Sequence, residues 1–283
     1  MFYPIKAYKK KMEERLIKHL IIYPIKSLGP IFVDEIVIGP HGLNGDREMM
    51  LIDSQGKFIS QRTKNELVRF QLKKYQDTYK IIDRWGNSEI IIQIDGFIDY
   101  VKTVTIWEDQ VNQVMMNPEV SDWFSKILNE NVRLVKLNKN FNRPLPEKYQ
   151  TSFSHSTSFA DSLPILVCTT ASFQFVENDY GNFDFIRFRP NIVIKNLGAF
   201  EEDEWKDVRL GSVEFSVKKK CARCNLITVD PQSGEIDKSF LTKLSAYRNA
   251  DHKVFFGVHM VPLSGGKVEI GDSFEHVSIH EII

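Results

Sequence analysis

The sequence predicts a β-rich α+β protein in two parts, the first of them barrel-like. Three observations predict it. Short β-branched or alternating runs recur along both halves, separated by turn signals such as Asp53-Ser54-Gln55-Gly56 and Arg84-Trp85-Gly86-Asn87. Many short strands at that spacing build barrels or sandwiches. Helical periodicity is confined to a few short segments, and 283 residues at about 150 per domain give roughly two domains.

Residues 1–17 read as an appendage. Met12, Leu16, Ile17 and Leu20 share one helical face beside Lys9-Lys10-Lys11, which predicts a terminal helix packed on the body or, alternatively, touching a membrane surface. Residues 18–137 form the first domain. Its strand signals are Leu20–Ile25, Phe32–Ile38, Met49–Ile52, Phe58–Gln61, Leu67–Leu72, Ile90–Ile94, Val101–Ile106 and Val111–Met115. A helix follows, with Asn117 as cap, Pro118 at its first position and Val120, Trp123, Phe124, Ile127 and Leu128 as its apolar face. Val132–Leu137 reads as one more strand. Residues 138–161 are rich in Asn, Ser, Thr and Pro and read as a long connecting loop, which at that length is functional or a linker. Residues 162–283 form the second domain. It carries strands at Pro164–Cys168, Asn191–Lys195, Val208–Val217, Leu226–Val229, Lys253–Val261 and Lys267–Ile270, with helices near Ala171–Asn178 and Phe240–Arg248.

Composition narrows the function. Hydrophobic residues at 42% and charged residues at 26% exclude wholesale disorder. Lysine plus arginine equals aspartate plus glutamate at 37 each, so no overall field attracts nucleic acid, although a local basic pocket stays open. Three cysteines argue against a secreted disulfide scaffold. No apolar run approaches the roughly 18 residues of a membrane span, and no secretory signal opens the chain. A soluble, cytoplasmic protein is expected.

Three clusters carry candidate chemistry. Tyr23-Pro24-Ile25-Lys26-Ser27, with Gly39, Gly42, Gly45 and Arg47, has glycines in neither the dinucleotide nor the P-loop spacing, so they read as turn glycines. Lys26, Ser27 and Arg47 still offer donors suited to an oxyanion. Arg187-Phe188-Arg189-Pro190-Asn191 precedes an apolar strand, where its arginines are surface charges or anion ligands. Lys218-Lys219-Lys220-Cys221-Ala222-Arg223-Cys224 is the sharpest signal. Its CxxC pair lacks partners for structural zinc and opens no helix as a thioredoxin motif would. What remains is a thiol in positive surroundings that favour a soft, metal-binding thiolate, or a pair of inert buried cysteines.

Read jointly, these clusters resemble the MOSC-domain family, in the subgroup with an N-terminal MOSC β-barrel domain typified by the mitochondrial amidoxime-reducing component and bacterial N-hydroxylated-base reductases. The resemblance runs from about Leu20 to Asp272. It is carried by Tyr-Pro-Ile-Lys-Ser at 23–27, Gly-Asp-Arg at 45–47, Ala-Asp-Ser at 160–162, Phe-Arg-Pro-Asn at 188–191, Cys-Ala-Arg-Cys at 221–224, Thr-Val-Asp-Pro at 228–231 and Phe-Gly-Val at 256–258.

The resemblance implies a MOSC β-barrel in the second half and a molybdenum-pyranopterin cofactor between the halves. Cys224 would be the metal ligand and Asp161 the acidic residue near the metal. Lys26, Ser27, Arg47, Ser162, Arg189, Asn191 and Arg223 would hold the pterin and its phosphate. Leu163 and Ala222 stand where relatives carry hydroxyl residues. The implied activity is reduction of N-hydroxylated compounds such as amidoximes, hydroxylamines and N-hydroxylated bases. The alternative is a carrier of the molybdenum cofactor or its sulfur without substrate turnover. Three cysteines cannot build an iron–sulfur relay beside a molybdenum thiolate. Electrons are therefore expected from a separate ferredoxin-, flavodoxin- or cytochrome b5-like protein, for which Glu201-Glu202-Asp203-Glu204 is one candidate docking surface.

Overall fold

The computed structural model describes residues 14–277 except 77, 94, 95, 101 and 113. Its largest sheet has nine strands among the described residues. In spatial order they are Ile31–Val33, Leu16–Ile22, Ile192–Lys195, Ile165–Thr169, Lys253–Pro262, Val213–Arg223, Asp207–Leu210 and Phe274–His276, with the short Asn249–Ala250 pairing on the side. Most pairings are antiparallel; Ile165–Thr169 and Ile192–Lys195 run parallel across the helix α2, Thr170–Tyr180. The N-terminal part adds a four-stranded sheet of Met49–Ile52, Arg133–Leu137, Val114–Asn117 and Ile98–Tyr100. A three-stranded meander, Phe70–Tyr75, Thr78–Asp83 and Ser88–Gln93, stands beside it. The helix α1, Pro118–Leu128, packs on this part, and α3, Lys238–Arg248, on the other.

The sequence accounts for most of this. Asn117 caps α1 by accepting from Val120 N at 3.0 Å, and Val120, Phe124 and Leu128 bury its inner stripe. Where expectation and structure differ, tertiary pairing decides. The terminal helix is not found over the described part: Met12 lies outside the described residues, and Leu16, Ile17 and Leu20 belong to a strand. That strand is flanked on both edges, Leu16 opposite Lys195 and Ile21 opposite Phe32. Ile17, Leu20, Ile21 and Ile22 are buried, so the run is apolar without clean alternation.

The expected strand Val208–Val217 is a hairpin, Asp207–Leu210 and Val213–Arg223, turning at Gly211 with φ +56°. Leu226–Val229 is a 3-10 turn, Asn225–Thr228. Leu67–Leu72 likewise divides into a 3-10 turn, Asn65–Arg69, and the strand that begins at Phe70. Of Phe58–Gln61, only Phe58 pairs, by one bridge to Ile52. In residues 138–161 the described regular structure is the 3-10 turn Glu147–Tyr149, yet the end of this stretch is interior: Ser154, Thr157, Phe159 and Ala160 are buried.

The two parts of the chain interlock. Leu16–Ile22 is a strand of the large sheet, and Glu35–Gly39 pairs with Gly266–Glu269 near the other end of the chain. Residues from both parts consequently meet at one cavity.

Candidate functional site

A cavity of about 870 Å³ opens where the parts join, and all nine residues singled out from the sequence line it: Lys26, Ser27, Arg47, Asp161, Ser162, Arg189, Asn191, Arg223 and Cys224. Its size suits an organic ligand of cofactor scale.

The first wall is built from Tyr23–Ser27 and Arg47. After Ile22 the chain turns beside Met49: Lys26 N donates to Met49 O at 2.7 Å, and Arg47 N to Tyr23 O at 2.9 Å. Ser27 and Arg47 adopt left-handed backbone, φ +68° and +52°, as does Arg189 at +55°. Non-glycine residues there cost on the order of 1–3 kcal/mol each and gather at functional sites. The buried Tyr23 ring takes the guanidinium of Arg47 at 4.7 Å and that of Arg189 at 4.0 Å. Asp46 accepts from Tyr23 N at 2.8 Å and pairs with Arg47. Asn191 is committed to the chain itself. It accepts from Arg47 Nη1 and Leu166 N, both at 3.1 Å, and donates to Ile21 O at 3.1 Å. Its amide thus fixes Arg47 and locks three segments together.

The second wall ends the 138–161 stretch. Buried Arg143 donates from Nη1 to Ser158 O at 2.7 Å and Ala160 O at 2.6 Å, and Phe159 N donates to Arg47 O at 2.9 Å. These bonds present Asp161. Its carboxylate takes Lys26 Nζ on one oxygen and Arg62 Nη2 on the other, the latter at 2.7 Å, while Trp107 Nε1 donates to it at 3.2 Å. Burial pushes the Asp161 carboxyl up, but Lys26 and Arg62 outweigh that and hold it well below the usual carboxylate range. Burial pulls Lys26 down to about 8 against the opposing charge of Asp161.

The third wall is the end of strand Val213–Arg223. Its pairing with Lys253–Pro262 shifts register between Lys220 and Ala222, so Cys221 sits at an irregularity of the kind that re-aims side chains beside sites. The facing strand contains Gly257 at φ +72°, where a Cβ would lie 2.7 Å from Cys168 Sγ, so this close approach requires glycine. Cys221 is buried and accepts from Arg223 Nη1 at 3.0 Å. Burial raises its thiol, yet Arg223 and His259 bring it down to about 6. Cys224, half-buried, is the first residue past the strand and accepts from Arg62 Nε at 3.2 Å. The structure thus separates the two thiols of the motif: one packs inward on Arg223 and His259, the other meets the N-terminal part.

Arg62 and Trp107 escaped the sequence reading. Each sits on a short turn without a recognisable motif, and their partners are about 100 and 54 positions away, so one sequence holds no signal for them. The acidic run 201–204 also has a different place from that expected. Glu202 is fully buried, accepting from Ser172 Oγ and Thr169 Oγ1, and Asp203 pairs with Lys220 and Arg248. Glu202 of the run therefore faces the interior, while Glu204 is exposed.

Electrostatically the cavity is strongly positive, with nine lysines and arginines lining it against three aspartates. Among the described residues, Arg189 Nη2 and Arg223 Nε are buried without a hydrogen-bond partner. Orphaned donors of this kind cost about 1–3 kcal/mol each unless a ligand satisfies them.

Comparisons with known proteins place the two parts of the chain in named domain families. Residues 14–131 match the MOSC N-terminal beta barrel domain, and residues 154–275 match the MOSC domain. The chain is 27% identical over 273 residues to the molybdenum cofactor sulfurase of Bos taurus, across 89% of this chain and 31% of that protein. It is 27% identical over 274 residues to the mitochondrial amidoxime reducing component 2 of Bos taurus, across 90% of this chain and 81% of that protein. The chain therefore spans about a third of the sulfurases it matches. Among the described residues no helix is long and apolar enough to cross a membrane. The two domain matches, in order and covering most of the sequence, make this chain a member of the MOSC-domain family, with an N-terminal MOSC β-barrel domain ahead of its MOSC domain.

Proposed function

We propose that the cavity holds a molybdenum-pyranopterin cofactor and that the protein reduces N-hydroxylated compounds with electrons from a separate donor protein. The observation that carries this reading is the excess of cations, nine against three carboxylates, in a cavity that also presents a half-buried thiol. Such a wall calls for an anionic ligand, and a thiol suits a soft metal. The fit is supported by the orphaned donors of Arg189 and Arg223, which a phosphate or pterin carbonyl would satisfy.

Lys26, Ser27, Arg47, Ser162, Arg189 and Arg223 would hold the pterin and its phosphate, Asn191 would fix Arg47, and Cys224 would ligate the metal. Bound there, the group would supply two-electron redox chemistry suited to removing an oxygen from nitrogen. The overall change is R–NHOH plus two electrons and two protons giving R–NH₂ and water. The chain's own part is to orient and to manage charge. Asp161 stays ionised between Lys26 and Arg62, and Lys26 Nζ, at about 8, holds a proton at neutral pH beside the reacting region. The equal similarity to a sulfurase favours a second reading, in which the domain handles the cofactor or its sulfur without turnover.

One experiment separates them. Protein made in a molybdopterin-competent host is analysed for molybdenum and assayed on an amidoxime or N-hydroxylated base, first with NADH alone and then with reduced viologen dye. Turnover with dye but not with NADH supports the reductase. Metal-replete protein without turnover in dye supports the carrier, and protein that takes up no molybdenum overturns both.

A further inference from the structure

We propose that Arg62 is a positioning residue that ties the sulfur of Cys224 to the carboxylate of Asp161. One edge of its guanidinium serves both: Nε donates to Cys224 Sγ at 3.2 Å and Nη2 to Asp161 Oδ2 at 2.7 Å. The planar fork of arginine is suited to two parallel donations from one edge, which the single ammonium of lysine cannot reproduce. Here the fork spans two residues 63 positions apart, reaching from the N-terminal part to the thiol at the end of the strand Val213–Arg223.

The fork itself is held. The turn that carries Arg62 is closed by Thr63 N and Lys64 N donating to Ser60 O at 3.1 and 2.9 Å. The guanidinium lies 4.6 Å over the Trp107 ring, whose centroid stands 4.9 Å from that of Phe58, and Trp107 Nε1 also donates to Asp161. Trp107 keeps this place at φ +55°, a conformation uncommon for an aromatic residue. A strained residue braces the arginine, and the arginine braces the thiol and the acid.

The inference rests on the reading of Cys224 as metal ligand and goes beyond it. An N–H donated to a ligand sulfur withdraws charge from it and fixes its direction, and partners of this sort change metal affinity or activity by about 10–100-fold. Arg62 would therefore set the electronic character of the metal site by acting through Cys224 and Asp161.

The test uses molybdenum-loaded full-length protein as wild type, Arg62→Lys and Arg62→Met. The electron paramagnetic resonance spectrum of the partly reduced metal and its midpoint potential are recorded, together with kcat and KM in the dye assay. In both variants the resonance should shift, and kcat should fall about tenfold or more with KM changed less. Arg62→Lys retains the charge, so a shift there too assigns the effect to the fork and not to the charge. Wild-type spectra and potential in folded, loaded variants overturn the inference while leaving the cofactor reading intact. A wild type that takes up no molybdenum overturns both. Should Arg62→Met fail to fold, the spectrum of Arg62→Lys decides alone.

Discussion

Arg189 offers the sharpest separation between what the cavity does for a ligand and what it costs the fold. Its side chain is buried, with Nη1 donating to Leu28 O at 3.0 Å, its plane on Tyr23 at 4.0 Å and Nη2 without a partner. Burial, reinforced by the charge of Arg47, pulls it from its ordinary value down to about 10. That displacement corresponds to roughly 3 kcal/mol against the charged form in the empty protein. Arg189→Met keeps the length and apolar contact and removes the charge. It forfeits about 1 kcal/mol for the Leu28 hydrogen bond and a similar amount for the Tyr23 contact. Relief of the buried charge offsets these losses, so the empty variant should be as stable as wild type within about 1 kcal/mol. Ligand binding has no such offset: losing one charge-assisted partner costs about 1.5–3 kcal/mol, or roughly ten- to a hundred-fold in affinity. Urea unfolding of cofactor-free protein measures the first quantity, and pterin retained on purification measures the second. Wild-type pterin content in Arg189→Met, alongside a stability loss above about 3 kcal/mol, would show that Arg189 serves the fold alone.

Four further outcomes follow from the same geometry. Cys224→Ala should lose molybdenum while folding normally, and Cys221→Ala should keep most of it, as read by metal analysis. Lys26, at about 8 through burial, is charged below that pH and neutral above it; pyrophosphate affinity by calorimetry should weaken by up to about tenfold from pH 7 to 9, and Lys26→Met should flatten that dependence. Burial raises the Glu202 carboxyl above its ordinary 4.5. The folded state then binds this proton more tightly than the unfolded one, so its contribution is full below 4.5 and lost as pH rises through the folded value; Glu202→Gln should gain stability over wild type progressively above pH 5 in urea titrations. Gly257→Ala places a Cβ 2.7 Å from Cys168 Sγ at φ +72°, and a loss of about 2 kcal/mol or more in the same titrations is expected.

Much of the architecture could be read because local signals and tertiary needs coincide. Asn117-Pro118 marks the start of α1, and the short apolar run Val132–Leu137 marks a strand, with Leu134, Val135 and Leu137 buried. Reading fails where pairing overrides propensity. Leu226-Ile227-Thr228 has the β-branched look of a strand, yet it lies after the strand Val213–Arg223 and curls so that Ile227 and Thr228 pack inward. Leu16 and Ile17 have helical spacing to Leu20, and two flanking strands recruit them instead. In the site, all nine nominated residues line one cavity because recognisable short segments carry them. Arg62 and Trp107 belong to no such segment, and their significance comes from distance in space to Asp161 and Cys224.

The location of the cavity explains why its residues are scattered. A surface lined by nine cations repels itself, and no single strand or loop could present such a set without a counterweight. The fold distributes them over three walls and gives five of them a local tether. Arg47 has Asp46, Lys26 and Arg62 have Asp161, Arg223 has Phe188 O at 2.7 Å, and Arg189 has Leu28 O. The tethers come from both parts of the chain, so docking the parts and assembling the charge are one event. Leu16–Ile22 makes that coupling structural, since the strand that leads directly into Tyr23–Ser27 is itself hydrogen-bonded to Ile192–Lys195, the strand that follows Arg189 and Asn191. Any displacement of that pairing would separate Arg47 from Asn191 and Arg189 from Tyr23 together, which places the integrity of the anion wall in the register of a single pair of strands.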